Sequence, residues 1–190
     1  MPKSNDTITA IATPSGRGGL GIVRVSGNKT KDIFKTLTGS SPIARSAQFV
    51  SFRSSDQKII DKGIALYFKA PASYTGEDVM ECHVHGSRFV LGMLLDEIVS
   101  MGARLARPGE FTERAFINNK IDLLQAEAVA DLIDSNSKKA ARSAMLSLSG
   151  VFSDSIKELR ERVFNAKALI EAALDFPEEE DVVIDTLPAS

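Results

Sequence analysis

Two strand-like runs carry the side chains best placed for chemistry. Arg24 lies between Val23 and Val25 in the β-branched run 22–26, so alternation turns it away from the face that takes those two valines. There it is either a solvated arginine or a clamp for an anion or carbonyl, groups that guanidinium grips bidentately. Glu81 holds the equivalent place between Met80 and Cys82 in the alternating run 78–85. A carboxylate at such a position is either exposed or ion-paired, or it accepts from a ring edge bearing two adjacent N–H donors, as pterins and guanines do. Cys82, His83 and His85 look at first like metal ligands. A strand, however, sends the two histidines to one face and the cysteine to the other, and no further His or Cys exists to complete a zinc set. They read as strand-end side chains, with His85-Gly86 turning the chain into the next helix. No metal site is expected.

Gly16, Gly18 and Gly21 match G-x-G-x-x-G literally. A dinucleotide site needs that loop to open a helix, and here it opens Ile22-Val23-Arg24-Val25, so a hairpin loop or ligand-facing turn is expected instead. G-x-x-x-x-G-K-[ST] occurs nowhere in the sequence, so no P-loop is present. The segment 107–116 (RPGEFTERAF) is a charged helix entry. Pro108 disfavours helix at Arg107, and Glu110 suits a positive helix N-terminus. It reads as a structured interdomain corner.

The elements that position these residues follow from periodicity. The expected order is a strand over 7–12, a glycine loop over 15–21, a strand over 22–26, and a helix over 29–37 stopped by Gly39. A hairpin over 49–53 and 59–68, a loop over 69–76 and a strand over 78–85 come next. A helix follows from Ser87 to about Met101, with Leu91, Leu94, Leu95, Ile98 and Val99 as its buried stripe. Beyond Pro108-Gly109 the character changes to short helices over 110–118 and 122–134. One long helix from about 137 to 174 is then expected, despite Gly150, and its apolar stripe needs partners the chain does not supply. The acidic stretch 176–190 is expected to fray.

The 190 residues, 43% hydrophobic and 25% charged, suit one or two globular units, and a net charge of −2 argues against a domain that coats nucleic acid. One cysteine allows no intrachain disulfide, no secretory signal opens the sequence, and no apolar run approaches a bilayer span; a cytoplasmic protein is expected.

Several blocks resemble the MnmE (TrmE) family of tRNA-modification GTPases: Asp6-Thr7-Ile8, Ala12-Thr13-Pro14, Gly16-Arg17-Gly18-Gly19, Thr75-Gly76-Glu77-Asp78-Val79, the segment 106–116, and Lys120-Ile121-Asp122-Leu123 with Gln125-Ala126-Glu127-Ala128. The resemblance covers essentially the whole chain. It implies an α+β chain: a mixed α/β folate-binding and dimerisation domain over 1–118, then over 119–190 a long-helix hairpin from an incomplete helical domain. It implies 5-formyltetrahydrofolate or a related tetrahydrofolate as cofactor. In the parent protein it also implies a Ras-like GTPase domain using GTP, magnesium and potassium, outside this chain, and a C-terminal Cys motif that is absent here. Implied partners are a second copy, the flavin protein MnmG (GidA) in a heterotetramer, and tRNA, with no membrane. The parent would add an aminomethyl-type group to carbon 5 of the wobble uridine, the folate supplying the one-carbon unit. Carried over by position, the folate binders would be Arg24, Glu81 and Lys120, with no catalytic residue here and no GTP hydrolysis by this segment. Ser87 departs from the family, which usually has Gly there. Two other readings stand beside this one: a dimerisation scaffold without a ligand, and, more weakly, a stand-alone folate-dependent aminomethyltransferase.

Overall fold

A computed structural model describes residues 6–16 and 18–175, and the chain divides into two compact units between Asp122 and Leu123. In the first unit, β1 (Ile8–Ile11) and β2 (Gly18–Ser26) pair antiparallel, and α1 (Thr30–Thr38) follows. The hairpin of β3 (Gln48–Arg53) and β4 (Ile59–Phe68) comes next, then β5 (Val79–Gly86) and α2 (Arg88–Ser100). A two-residue strand, β6 (Arg104–Leu105), pairs parallel to β1 and was not visible in the alternation; α3 (Glu110–Ile117) closes the unit. The six strands form one mixed sheet in the order β3-β4-β5-β2-β1-β6.

Period-two alternation sets which face each strand buries. Val23 and Val25 of β2, Met80, Cys82 and Val84 of β5, and Ala65 and Tyr67 of β4 point to one side. There they meet Ile33, Phe34 and Leu37 of α1 and Leu91, Leu94 and Ile98 of α2, both helical stripes at i, i+3/i+4 spacing, while Leu95 is only partly buried against them and Val99, expected in the stripe, is exposed at its edge. The opposite side carries Arg24, Glu81 and His83. Gly39 ends α1 in the left-handed conformation, with its N–H on the Lys35 carbonyl.

The glycine loop expected over 15–21 is shorter than the sequence suggests. The glycines at 18 and 21 belong to β2 itself, which pairs with β5 as far back as Gly18↔Gly86 through an irregularity between Gly18 and Gly21. Three glycines surround a single side chain there, the exposed Leu20, so the shift displaces no packed group.

The second unit holds α4 (Leu123–Ile133), α5 (Lys138–Leu148) and α6 (Val151–Asp175), so the single helix expected over 137–174 is two. The break lies at Gly150, whose φ of +88° is far from the helical value near −63°. Ser137 caps α5 by accepting from the Ala140 N–H. Gln125 of α4 donates to the Leu148 carbonyl at 3.0 Å, satisfying a helix-end acceptor just before the break. The apolar stripe of α6, with Leu159, Val163, Phe164 and Ile170 among its members, is exposed. The expectation for 176–190 lies outside the described residues.

Candidate functional site

The register of β2 and β5 sets Arg24 directly opposite Glu81, with Leu66 of β4 on the other flank of Glu81. Both side chains rise from the sheet face that α1 and α2 leave uncovered. The Arg24 guanidinium donates through Nε at 2.9 Å and lies with Nη2 at 2.8 Å, both toward Glu81 Oε1. The guanidinium carbon also lies over two rings, 5.9 Å from the Tyr74 centroid and 5.7 Å from that of Phe111. Tyr74 comes from the loop after β4 and Phe111 from the first turn of α3, and the Tyr74 hydroxyl bonds to Thr112 Oγ1 at 2.9 Å.

His83 joins this cluster, where the sequence suggested only a strand-end side chain. Two residues along β5 on the same face, its Nε2 bonds to the second carboxylate oxygen, Glu81 Oε2, at 3.1 Å. Glu81 therefore bridges an arginine and a histidine, one on each oxygen. The i, i+2 spacing of Glu81 and His83 was the available signal; its reading depended on which face was uncovered. His85, further along the same strand, is taken instead by Asp61, which accepts from the His85 backbone N–H at 2.8 Å and bonds to Nδ1 at 2.9 Å. Burial pushes the Asp61 carboxyl up, but these contacts and the Lys62 N–H outweigh it, and the net shift is downward.

Lys120 is placed by a different contact. Its backbone N–H donates to the Ala115 carbonyl at 2.8 Å, just past the end of α3. Its side-chain stem packs beside Gly76, where a β-carbon would come within 3.2 Å of Lys120 Cγ. The structure thus joins Arg24 and Glu81 in direct contact and sets Lys120 against the loop that also carries Tyr74.

That loop is fastened by a buried ionic cluster. Glu77 accepts from Ser26 Oγ at 2.7 Å and from Arg114 Nη1 at 3.0 Å. Arg114, only 4% exposed, also reaches Asp6 Oδ1 at 2.7 Å and Glu110 Oε1 at 3.3 Å. Glu110, 3% exposed, accepts from Arg104 through both oxygens and from the Arg107 N–H, the helix-entry role its position suggested. Hydrogen bonding from Arg104 holds the Glu110 carboxyl down at about 2 against the opposing pull of burial. Asn118 adds a bond to the Thr75 carbonyl at 2.7 Å.

Grooves on the second unit run along its helices. One is lined by Ala141, Arg142, Met145, Leu146 and Ser149, another by Ile156, Leu159, Val163 and Phe164 among others. Neither includes Arg24, Glu81 or Lys120. No described helix is long and apolar enough to cross a membrane.

A mixed sheet with a charged, half-buried cluster on its open face, followed by a separate helical unit, defines a two-part α+β protein. Residues 7–120 match the family model of the GTP-binding protein TrmE N-terminus, and residues 123–188 that of the MnmE helical domain. The chain belongs to the MnmE (TrmE) family. It is 59% identical over 175 residues to a protein named tRNA modification GTPase MnmE from Coxiella burnetii (strain Dugway 5J108-111), covering 92% of this chain and 38% of the relative. Proteins of the same name from Baumannia cicadellinicola and Stutzerimonas stutzeri are 56% and 53% identical, with 93% and 95% of this chain and 39% and 40% of the relatives covered. The chain therefore spans about two fifths of the length of these relatives.

Proposed function

We propose that this chain is the folate-binding and dimerising part of a tRNA-modification GTPase, together with the start of its helical domain. The observation that carries the reading is the Arg24–Glu81 pair on the uncovered sheet face, a fixed donor beside a fixed acceptor, in a chain of this family. Glu81 presents a carboxylate suited to the N–H edge of a pterin, Arg24 donors for a folate carbonyl or carboxylate, and Lys120 a further cation at the end of α3. The ligand is a tetrahydrofolate one-carbon donor such as 5-formyltetrahydrofolate.

Residues 1–118 form the folate and dimerisation domain, and 119–190 begin the helical one. A second copy covers part of the open sheet face, and later helices of the longer protein cover the α6 stripe. GTP hydrolysis, with magnesium and potassium, belongs to a domain beyond this chain. With MnmG and tRNA as partners, the whole protein adds an aminomethyl-type group to carbon 5 of the wobble uridine in the cytoplasm.

Isothermal titration of this chain with 5-formyltetrahydrofolate, beside Arg24→Ala, tests the reading. Heat of binding is expected from the unaltered chain and not from the variant. No heat from the unaltered chain, at concentrations where the full-length protein binds, ends it and leaves a dimerisation scaffold without a ligand.

A further inference from the structure

We infer that Tyr74 and Phe111 are positioning residues that clamp the Arg24 guanidinium between two ring faces, leaving its outer N–H edge fixed toward a flat ligand bearing acceptor oxygens. The choice of ligand rests on the folate reading above; the clamp itself does not.

The two rings reach Arg24 from segments far apart in sequence. Tyr74 arrives on the loop after β4 and Phe111 on α3, and their centroids lie 5.9 and 5.7 Å from the guanidinium carbon. At these distances a ring's negative face attracts the cation. The two segments are fastened to each other beside the cation, through the Tyr74 hydroxyl and Thr112 Oγ1 at 2.9 Å. Glu81 meets the same guanidinium from β5 and takes Nε and Nη2 on one oxygen. An arginine has five N–H donors in one planar fork. Two face Glu81, and the side chain remains 31% exposed, which leaves donors of the fork available to a ligand. A surface arginine ordinarily loses rotamer freedom when it grips a ligand. One already held by two rings and a carboxylate has lost that freedom beforehand, which raises affinity. The fork is planar, so the group it fits is a carboxylate or a ring carbonyl with its flanking acceptor.

The test uses the 190-residue chain and two readouts. In the ligand-free protein, the Arg24 side-chain Nε–H resonance, identified by its loss in Arg24→Lys, is expected to be displaced upfield by the two rings. Tyr74→Leu and Phe111→Leu are each expected to abolish most of that displacement and to weaken 5-formyltetrahydrofolate binding about tenfold, with the amide spectrum confirming that the fold persists. Tyr74→Phe, which keeps the ring and drops the hydroxyl, is expected to restore both. An Arg24 signal without ring displacement, or leucine variants that bind as tightly as the unaltered chain, overturns the clamp. A phenylalanine variant as weak as the leucine one also overturns it, because the hydroxyl rather than the ring would then be at work. A displaced signal lost in the leucine variants, with no folate bound by any protein, keeps the clamp and removes the folate reading alone.

Discussion

Gly63 of β4 and His83 of β5 approach so closely that a β-carbon on Gly63 would come within 2.0 Å of the His83 carbonyl oxygen. Gly63 precedes Ile64, the residue that pairs with His83, and His83 is bonded to Glu81 in the cluster with Arg24. A side chain there has only backbone to displace, so Gly63→Ala is expected to lower stability by about 3 kcal/mol or more. Urea unfolding monitored by circular dichroism measures it. The His83 ring signals should shift in any fraction that stays folded.

The pair of Arg24 and Glu81 should show measurable coupling. Each is partly shielded, and two guanidinium nitrogens share one oxygen, so a double-mutant cycle with Arg24→Ala and Glu81→Ala is expected to give about 1 kcal/mol. Thermal unfolding of the four proteins provides the number.

Acid should weaken the first unit. The folded Glu110 carboxyl sits at about 2, below its ordinary 4.5, because Arg104 holds its charge. Its contribution is therefore fully present above pH 4.5 and is lost as pH falls from there toward 2. Asp6 is lowered as well, hydrogen bonds from Arg104 and Arg114 outweighing its burial, and adds in the same direction. Glu110→Gln is expected to cost about 3 kcal/mol at neutral pH and to flatten the acid limb, read from urea midpoints between pH 7 and pH 3.

Gly150 separates α5 from α6 with a φ of +88°. An alanine there is strained by about 1 kcal/mol, and its β-carbon would also meet Gln125 Nε2 at 3.5 Å. Gly150→Ala should lower the midpoint of the helical unit without adding helix, and far-ultraviolet circular dichroism on heating decides.

No P-loop occurs in the sequence. The purified chain is expected to release no phosphate from GTP above a protein-free control. Turnover that persists through repeated purification would count against the reading.

Much of the first unit was legible because its strands alternate and its helices keep a 3.6-residue stripe. Val23 and Val25 buried with Arg24 turned away is what the run 22–26 announces. The register that brings Glu81 opposite Arg24 was not legible, since pairing partners are set by tertiary contacts over 57 residues of separation. His83 was missed although its partner is only two residues away, because only the uncovered face gives that partner meaning. β6 was missed because two residues carry no period. The helix break at Gly150 was passed over because a glycine penalty of about 1 kcal/mol is small beside a long apolar stripe, whereas the backbone took the left-handed turn that glycine alone adopts cheaply.

Arg114 reaches back 108 residues to clasp Asp6, so the opening and closing stretches of the first unit are held side by side. A module whose ends meet can be spliced into, or cut out of, a longer polypeptide with little rearrangement.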